Sequence, residues 1–303
     1  MTERYEQVSF RSHETSCAAW YFPPAPDSPF ATSEGCPVVV MAPGFGGTKD
    51  SGLAPFAQRL SAAGLGVFLF DFRGFGASEG APRQRVSVKG QITDYHAAVA
   101  AAGRRPGIDS RRIVLWGVSL SGGLVLSAAA DRTDVCAVIA AVPMIDVLSA
   151  ARNALAQQGF SSVARSTAIE LASTVTARLG GTASMVPLVG LPGERAVLTT
   201  PGYRDSYLAL AGPTWVNSVQ AGTGLELSGF RADRHAARVT APVLVQIADF
   251  DRAAPPHAAA KAAFKARAEV RHYPCDHFDL FPGNPWFEPA VGHQVRFLER
   301  VCG

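Results

Sequence analysis

Leu115-Trp116-Gly117-Val118-Ser119-Leu120-Ser121-Gly122-Gly123 decides how the rest of the chain is read. An apolar run from Arg112 to Trp116 ends abruptly in a glycine-rich turn that carries a serine, and helical spacing continues over Leu124 to Ala130. A strand that enters a helix through so tight a turn forces the middle residue into a strained backbone conformation, which small neighbours such as Gly117 and Ser121 permit. Ser119 would then stand clear of the sheet. The backbone N–H of Leu120 and the positive end of the following helix would point to where an anion develops. Ser119 is the candidate nucleophile and Leu120 a candidate oxyanion donor.

Outward from this turn, strands and helices alternate. Toward the N-terminus, residues 5–10 and 16–22 alternate as two opening strands, and Pro23, Pro24, Pro26 and Pro29 enforce a surface loop. Cys36-Pro-Val-Val-Val-Met-Ala42 is a wholly apolar run, the pattern of a strand covered on both faces. Pro43-Gly44-Phe45-Gly46-Gly47 follows as a loop, then a helix over Leu53–Ala63, a strand over Gly64–Phe70 and a helix over Val88–Ala102. Downstream, Val135–Val142 reads as a central strand stopped by Pro143. The sheet resumes at Ala241–Ala248. A helix at 256–268, a strand at 269–273 and a closing helix at 287–301 complete the chain. Strands alternating with helices predict an α/β protein with a mostly parallel central sheet flanked by helices.

Between Met144 and Arg238 the rhythm breaks. Helical stretches near 147–158 and 164–179 precede Gly and Pro punctuation through 180–213, without repeats or low complexity. The spacing predicts a core built from residues 1–143 and 239–303 and an inserted helical cap over 144–238. Long excursions at the C-terminal edge of a parallel sheet commonly build substrate cavities.

Composition narrows the function class. With 303 residues, 48% of them hydrophobic, the chain can bury a large core. Its start, Met1-Thr-Glu-Arg-Tyr-Glu-Gln, lacks the basic and apolar regions of a secretory signal, and no apolar run approaches the roughly 18 residues of a membrane span. A cytoplasmic protein without a membrane partner is expected. Cys17, Cys36, Cys136, Cys275 and Cys302 are odd in number and show no C-x-x-C spacing, so free thiols are expected, with neither a disulfide framework nor a zinc site. A formal net charge of +3 with scattered basic residues gives no basic stripe, so nucleic acid is not expected as a partner. The oligomeric state is left open, a homodimer among the options.

A serine hydroxyl needs a base, and histidine is matched to that task near neutral pH. Of seven histidines, His277 lies just after the last predicted strand, so its loop should emerge at the sheet edge that carries Ser119. His13, His96, His235, His257, His272 and His293 fall on strands, helices or the cap border. The imidazole needs an acid, which should come from the loop after the preceding strand. Asp251 is favoured because Pro255 four residues on lets the loop turn before the helix; Asp249 remains an alternative and Asp146 a remote one. Asp276, beside the histidine, is expected either to face water or to raise the basicity of His277. The second oxyanion donor should be a backbone N–H after the strand ending at Ala42. Phe45 is the simplest choice, since Pro43 has no N–H.

With Ser119, Asp251 and His277 in that order on an alternating chain, the sequence resembles the α/β-hydrolase family over nearly its whole length. The motifs are Pro43-Gly-Phe-Gly-Gly, Asp71-Phe-Arg-Gly-Phe-Gly-Ala-Ser78, Gly117-Val-Ser-Leu-Ser-Gly-Gly, Asp251-Arg-Ala-Ala-Pro255 and His277-Phe-Asp. Trp20-Tyr-Phe-Pro23 and His277-Phe-Asp-Leu-Phe are similar to the branch of peptidase-like hydrolases and polyketide-processing thioesterases or acyltransferases. The resemblance implies an α/β-hydrolase fold with a helical cap and a serine hydrolase acting on a small-molecule ester or thioester, without metal or cofactor. Three positions depart from the family pattern: Pro43 where His is usual, Ser121 where the turn usually ends in Gly, and Asp276 where Gly usually precedes the histidine.

Tyr203, Tyr207, Trp215 and Phe160 are candidates for lining a hydrophobic acyl pocket in the cap, although aromatics there also serve packing. Cys275 is set aside as a nucleophile. Two further readings use the same residues: an acyltransferase or carbon–carbon bond hydrolase, and a non-catalytic homologue that holds a small hydrophobic ligand in the cap cavity.

Overall fold

The computed structural model describes residues 5–147 and 184–303, so the helical stretches expected near 147–158 and 164–179, and Phe160, fall mostly or wholly outside the described residues. Strands β1 (Glu6–Ser12) and β2 (Thr15–Phe22) form an antiparallel hairpin. β2 pairs antiparallel with β4 (Gly66–Phe70), and from there β3 (Cys36–Ala42), β5 (Ile108–Val118), β6 (Val135–Ala141), β9 (Val243–Ala248) and β10 (Glu269–Tyr273) continue in parallel. The resulting eight-stranded sheet runs β1-β2-β4-β3-β5-β6-β9-β10.

Why these runs are strands follows from their burial. Every residue of β3, β4 and β9 is buried, as expected where helices cover both faces of a parallel sheet. Side chains alternate between the faces. Val38, Val40, Leu115 and Val138 pack with α2 (Val88–Ala102) and α3 (Leu120–Ala128) on one side. Val39, Met41, Trp116 and Ile139 face α1 (Ala54–Ala62) and the C-terminal helix on the other. The helices start where the sequence provides caps: Ser87 accepts the N–H of Gly90 ahead of α2, and Pro55 sits in the first turn of α1.

Within the insertion, β7 (Met185–Val186) and β8 (Val219–Gln220) form a small antiparallel pair, and α4 (Tyr203–Leu210) is the longest described helix there. Two short helices follow, α5 (Thr223–Ser228) and α6 (Asp233–Ala236); α6 packs on α3 and on α7 (Pro256–Ala266). α8 (Phe287–Cys302) closes the chain. A buried network ties it to the sheet: Trp116 Nε1 donates to Gln294 at 3.0 Å, Gln294 to Gln246 at 2.7 Å, and Gln246 to the Tyr273 hydroxyl at 2.7 Å. All five cysteines are free thiols, with the Cys136 and Cys302 sulfurs 3.1 Å apart.

One topological fact positions the site. β3 is flanked by β4 on one side and β5 on the other, so the crossover from β3 to β4 runs one way across the sheet and the next, from β4 to β5, returns past β3 the other way. The crevice at the carboxyl ends of such strands is where open α/β sheets take their ligands. Pro43–Gly47 and Ser119 both leave the sheet there.

Candidate active site

Ser119 has φ 58° and ψ −121°, a conformation that L-residues avoid, and it joins β5 directly to α3. Its neighbours make that possible. A methyl at Gly117 would lie 2.2 Å from the Ser121 carbonyl oxygen, so no larger residue fits before the turn. Ser121, where the family pattern has glycine, is fully buried, and its hydroxyl accepts the Val118 N–H at 2.8 Å and reaches the Ala42 carbonyl at 2.9 Å. It thereby joins the serine turn to the end of β3. Ser119 N–H donates to Ala141 at 2.9 Å, and its carbonyl accepts Met144 N–H at 2.8 Å.

The loop after β3 faces the serine: a methyl at Gly44 would sit 3.0 Å from the Ser119 Cβ. Among the described residues, neither the N–H of Phe45 nor that of Leu120 has a hydrogen-bond partner. Leu120 heads α3, where the first N–H groups lack intrahelical acceptors. Asp71, expected at the end of the neighbouring strand, is fully buried; it accepts the Lys49 N–H and the Lys49 ammonium, both at 2.6 Å, and anchors the far end of the same loop.

Asp251 and His277 meet. His277 Nδ1 lies 2.7 Å from Asp251 Oδ2, and the two residues are only 3% and 5% exposed. Asp251 Oδ1 accepts the N–H groups of Ala253 and Ala254 at 2.8 and 2.6 Å, which fixes the carboxylate in its own loop before Pro255 opens α7. Burial would push the His277 imidazole below its ordinary value. The Asp251 charge, the hydrogen bond to it and the charge of Asp276 outweigh burial and hold it above. Ser119, Asp251 and His277 follow β5, β9 and β10, which are parallel, so all three leave the same sheet edge. Asp249 turns away to His272 Nδ1 at 2.6 Å, a pair whose side chains are 38% and 56% exposed. Asp146 joins Arg231 through an isolated backbone bridge.

Asp276 is half-buried, and its carboxylate is engaged rather than left to solvent. It caps the 3₁₀ turn His277–Leu280 and accepts the His277 N–H at 2.8 Å, the Tyr203 hydroxyl at 2.7 Å, and the Arg252 N–H and Nε at 3.0 and 2.7 Å. Burial would raise its carboxyl, but the hydrogen bonds from Tyr203, His277 and Arg252 hold it below the usual range. The Asp276-x-x-Asp279 spacing is a reciprocal capping pattern, a signal legible in the sequence that reading Asp276 by its neighbour alone overlooked. Cys275 is buried and its thiol is pushed up to about 12, by burial first and by nearby carboxylates, so it is not a thiolate near neutral pH.

Tyr203 and Tyr207 lie one turn apart on α4 and both pack edge-on against Phe278. Their polar ends are spent on the core. Tyr203 bonds Asp276, the Tyr207 hydroxyl donates to the Phe45 carbonyl at 2.9 Å, and Trp215 Nε1 donates to the Gly46 carbonyl at 3.1 Å. Among the described residues no group of His, Cys, Asp and Glu could hold a metal ion, and no helix is long and apolar enough to cross a membrane.

Comparison with known proteins adds the family. The family model described as serine aminopeptidase, S33, matches residues 34–276, a range that takes in Ser119 and Asp251 and ends one residue before His277. The chain is 34% identical over 297 residues to the quorum-quenching protein AidA of Acinetobacter baumannii, covering 97% of this chain and 94% of that one. It is 42% identical over 110 residues to the thiohydrolase aneE of Aspergillus aculeatus, covering 36% and 35%. Among solved structures, the α/β hydrolase GrgF from Penicillium sp. superposes with a TM-score of 0.80 at 21% identity, covering 98% of this chain and 99% of that one. This likeness gives the α/β-hydrolase fold.

Proposed function

The chain belongs to the serine aminopeptidase, S33 family of α/β hydrolases, and on that premise we propose that it is a serine hydrolase cleaving an ester or thioester of a hydrophobic acyl group. The observation that carries the proposal is the buried His277–Asp251 pair, 2.7 Å apart, at the sheet edge where Ser119 holds its strained backbone.

With Nδ1–H donated to Asp251, the His277 ring presents an unprotonated Nε2 as base. His277 accepts the Ser119 proton as Oγ bonds to the acyl carbon, and the carbonyl oxygen becomes an oxyanion held by the N–H groups of Phe45 and Leu120. The C–O or C–S bond then breaks while the imidazolium returns its proton to the departing alcohol or thiol, leaving an acyl-serine. Water, deprotonated by the same imidazole, releases the acid and restores Ser119. An imidazole held above its ordinary value suits a base working near neutrality.

The aromatic wall of Tyr207, Trp215 and Phe278 beside the loop favours an apolar acyl group. The thiohydrolase relative favours including thioesters, and the relative named for quorum quenching places signals of that process among the substrates to assay. The test is a fluorophosphonate probe followed by peptide mapping, run beside p-nitrophenyl esters of graded chain length and their thioester counterparts. Label on Ser119 and loss of label and turnover in Ser119→Ala are expected. Labelling or turnover that persists in Ser119→Ala would overturn the assignment.

A further inference from the structure

The loop Pro43–Gly47 is rich in glycine, and glycine-rich peptides rotate their planes easily. A flipped plane would matter here. It would turn a carbonyl, in place of an N–H, toward the position an oxyanion occupies. Yet the three central carbonyls of this loop are tied. Gly44 O accepts the Gly47 N–H at 3.2 Å, Phe45 O accepts the Tyr207 hydroxyl at 2.9 Å, and Gly46 O accepts Trp215 Nε1 at 3.1 Å. Only the first of these bonds is internal to the loop. The other two come from the insertion, across sequence separations of 162 and 169 residues.

We infer that Tyr207 and Trp215 are positioning residues: by holding the carbonyls of Phe45 and Gly46 they fix the Phe45–Gly46 and Gly46–Gly47 peptide planes, which keeps the Gly47 N–H on the Gly44 carbonyl and so orients the Gly44–Phe45 peptide whose N–H serves the oxyanion. The inference rests on the proposed roles of Ser119 and Phe45 and extends them to the insertion. Close packing supports it. A methyl at Gly47 would meet the Tyr207 hydroxyl at 3.3 Å, and one at Gly46, where φ is +63°, would meet Leu188 at 2.0 Å, so the insertion presses directly on this loop. The Tyr207 and Trp215 rings pack with centroids 5.2 Å apart, tilted by 31°, and the Thr214 N–H donates to Asp50 at 2.9 Å, fixing the donors relative to the loop they grip. Burial pushes the Tyr207 hydroxyl up, so it remains an O–H donor throughout the working pH range.

The test uses the full-length protein with Tyr207→Phe and Trp215→Phe, each removing a donor while keeping an aromatic ring, and thermal melts to check folding. Turnover should fall about 10-fold per variant, short of the about 10²- to 10³-fold cost of losing an oxyanion donor outright. KM should hold, and affinity for a boronic acid that mimics the tetrahedral intermediate should fall with kcat. Amide exchange read on peptides spanning 43–48 should quicken, the Gly47 N–H being the reporter. A raised KM with kcat intact would overturn the inference in favour of simple pocket lining, and unchanged exchange or unchanged kcat would overturn it outright. Ser119→Ala separates the two levels. Turnover surviving there sinks the proposed nucleophile, while the exchange experiment still judges the tether.

Discussion

Ser119 at φ 58° stores strain on the order of 1–3 kcal/mol, which persists because Gly117, Ser121 and Ala141 over-determine the turn. A similar logic separates the two acids after β9. Asp251 is held by two N–H groups of its own loop and meets the buried imidazole; Asp249 meets an exposed one. Asp251→Asn is therefore expected to lower kcat by about 10⁴-fold, through loss of the orienting carboxylate. Asp249→Asn should change it little. Steady-state kinetics of the two variants side by side checks this, and comparable losses would contradict the assignment. The charge of Asp276 is one of the causes that hold His277 above its ordinary value. Removing a negative charge favours the neutral imidazole, so Asp276→Asn should move the acid limb of the kcat/KM profile to lower pH. A limb that stays put or moves upward would show that Asp276 acts through capping alone.

At the level of elements, the passage from β5 to α3 shows how tertiary packing overrides local preference. Helical spacing is legible only from Leu124, and the helix begins at Leu120, directly after the turn. Gly122 and Gly123 are poor helix formers, yet the fold requires them, since a methyl at Gly123 would lie 2.0 Å from the Met144 carbonyl. Gly117 is tested most directly. Gly117→Ala should cost about 1–3 kcal/mol by overpacking against the Ser121 carbonyl, seen as a lower urea midpoint, and should lower turnover more than its stability loss explains. An Ala variant with wild-type stability and turnover would mean that the turn relaxes freely. The helix α4 carries a second lesson: Tyr203 and Tyr207, expected to line a pocket, spend their hydroxyls on Asp276 and on the Phe45 carbonyl. A tyrosine's partner cannot be read from its own neighbours in sequence.

Over the whole molecule, the reversal of strand order at β3 brings residues 43–49 beside Ser119, and a buried ion pair secures that arrangement. Lys49 and Asp71, whose side chains are 4% and 0% exposed, join the loops after β3 and β4, with the ammonium also 5.1 Å from the Trp20 ring. Breaking such a pair from one side leaves an uncompensated buried charge. Lys49→Met should destabilise the protein by about 3–5 kcal/mol in chemical denaturation. The Asp71 carboxyl, already raised by burial, should then lose the charge that opposes the rise. A loss under about 1 kcal/mol would show instead that water reaches the site, as for an exposed pair.

The sequence by itself determined the alternation of strands and helices, the strained serine turn and the order Ser119, Asp251, His277, because hydrophobic period, glycine placement and turn chemistry are local and survive in a linear reading. It also made Asp251 the favoured acid, since the distance to Pro255 is a local fact. Only the tertiary structure decided which strands are neighbours, that Asp276 is hydrogen-bonded by Tyr203 and Arg252, and that the insertion grips the loop after β3. Those relations join residues tens to well over a hundred positions apart. Their partners are chosen by packing and by the need to satisfy buried polar groups, for which no stretch of sequence carries a periodic mark.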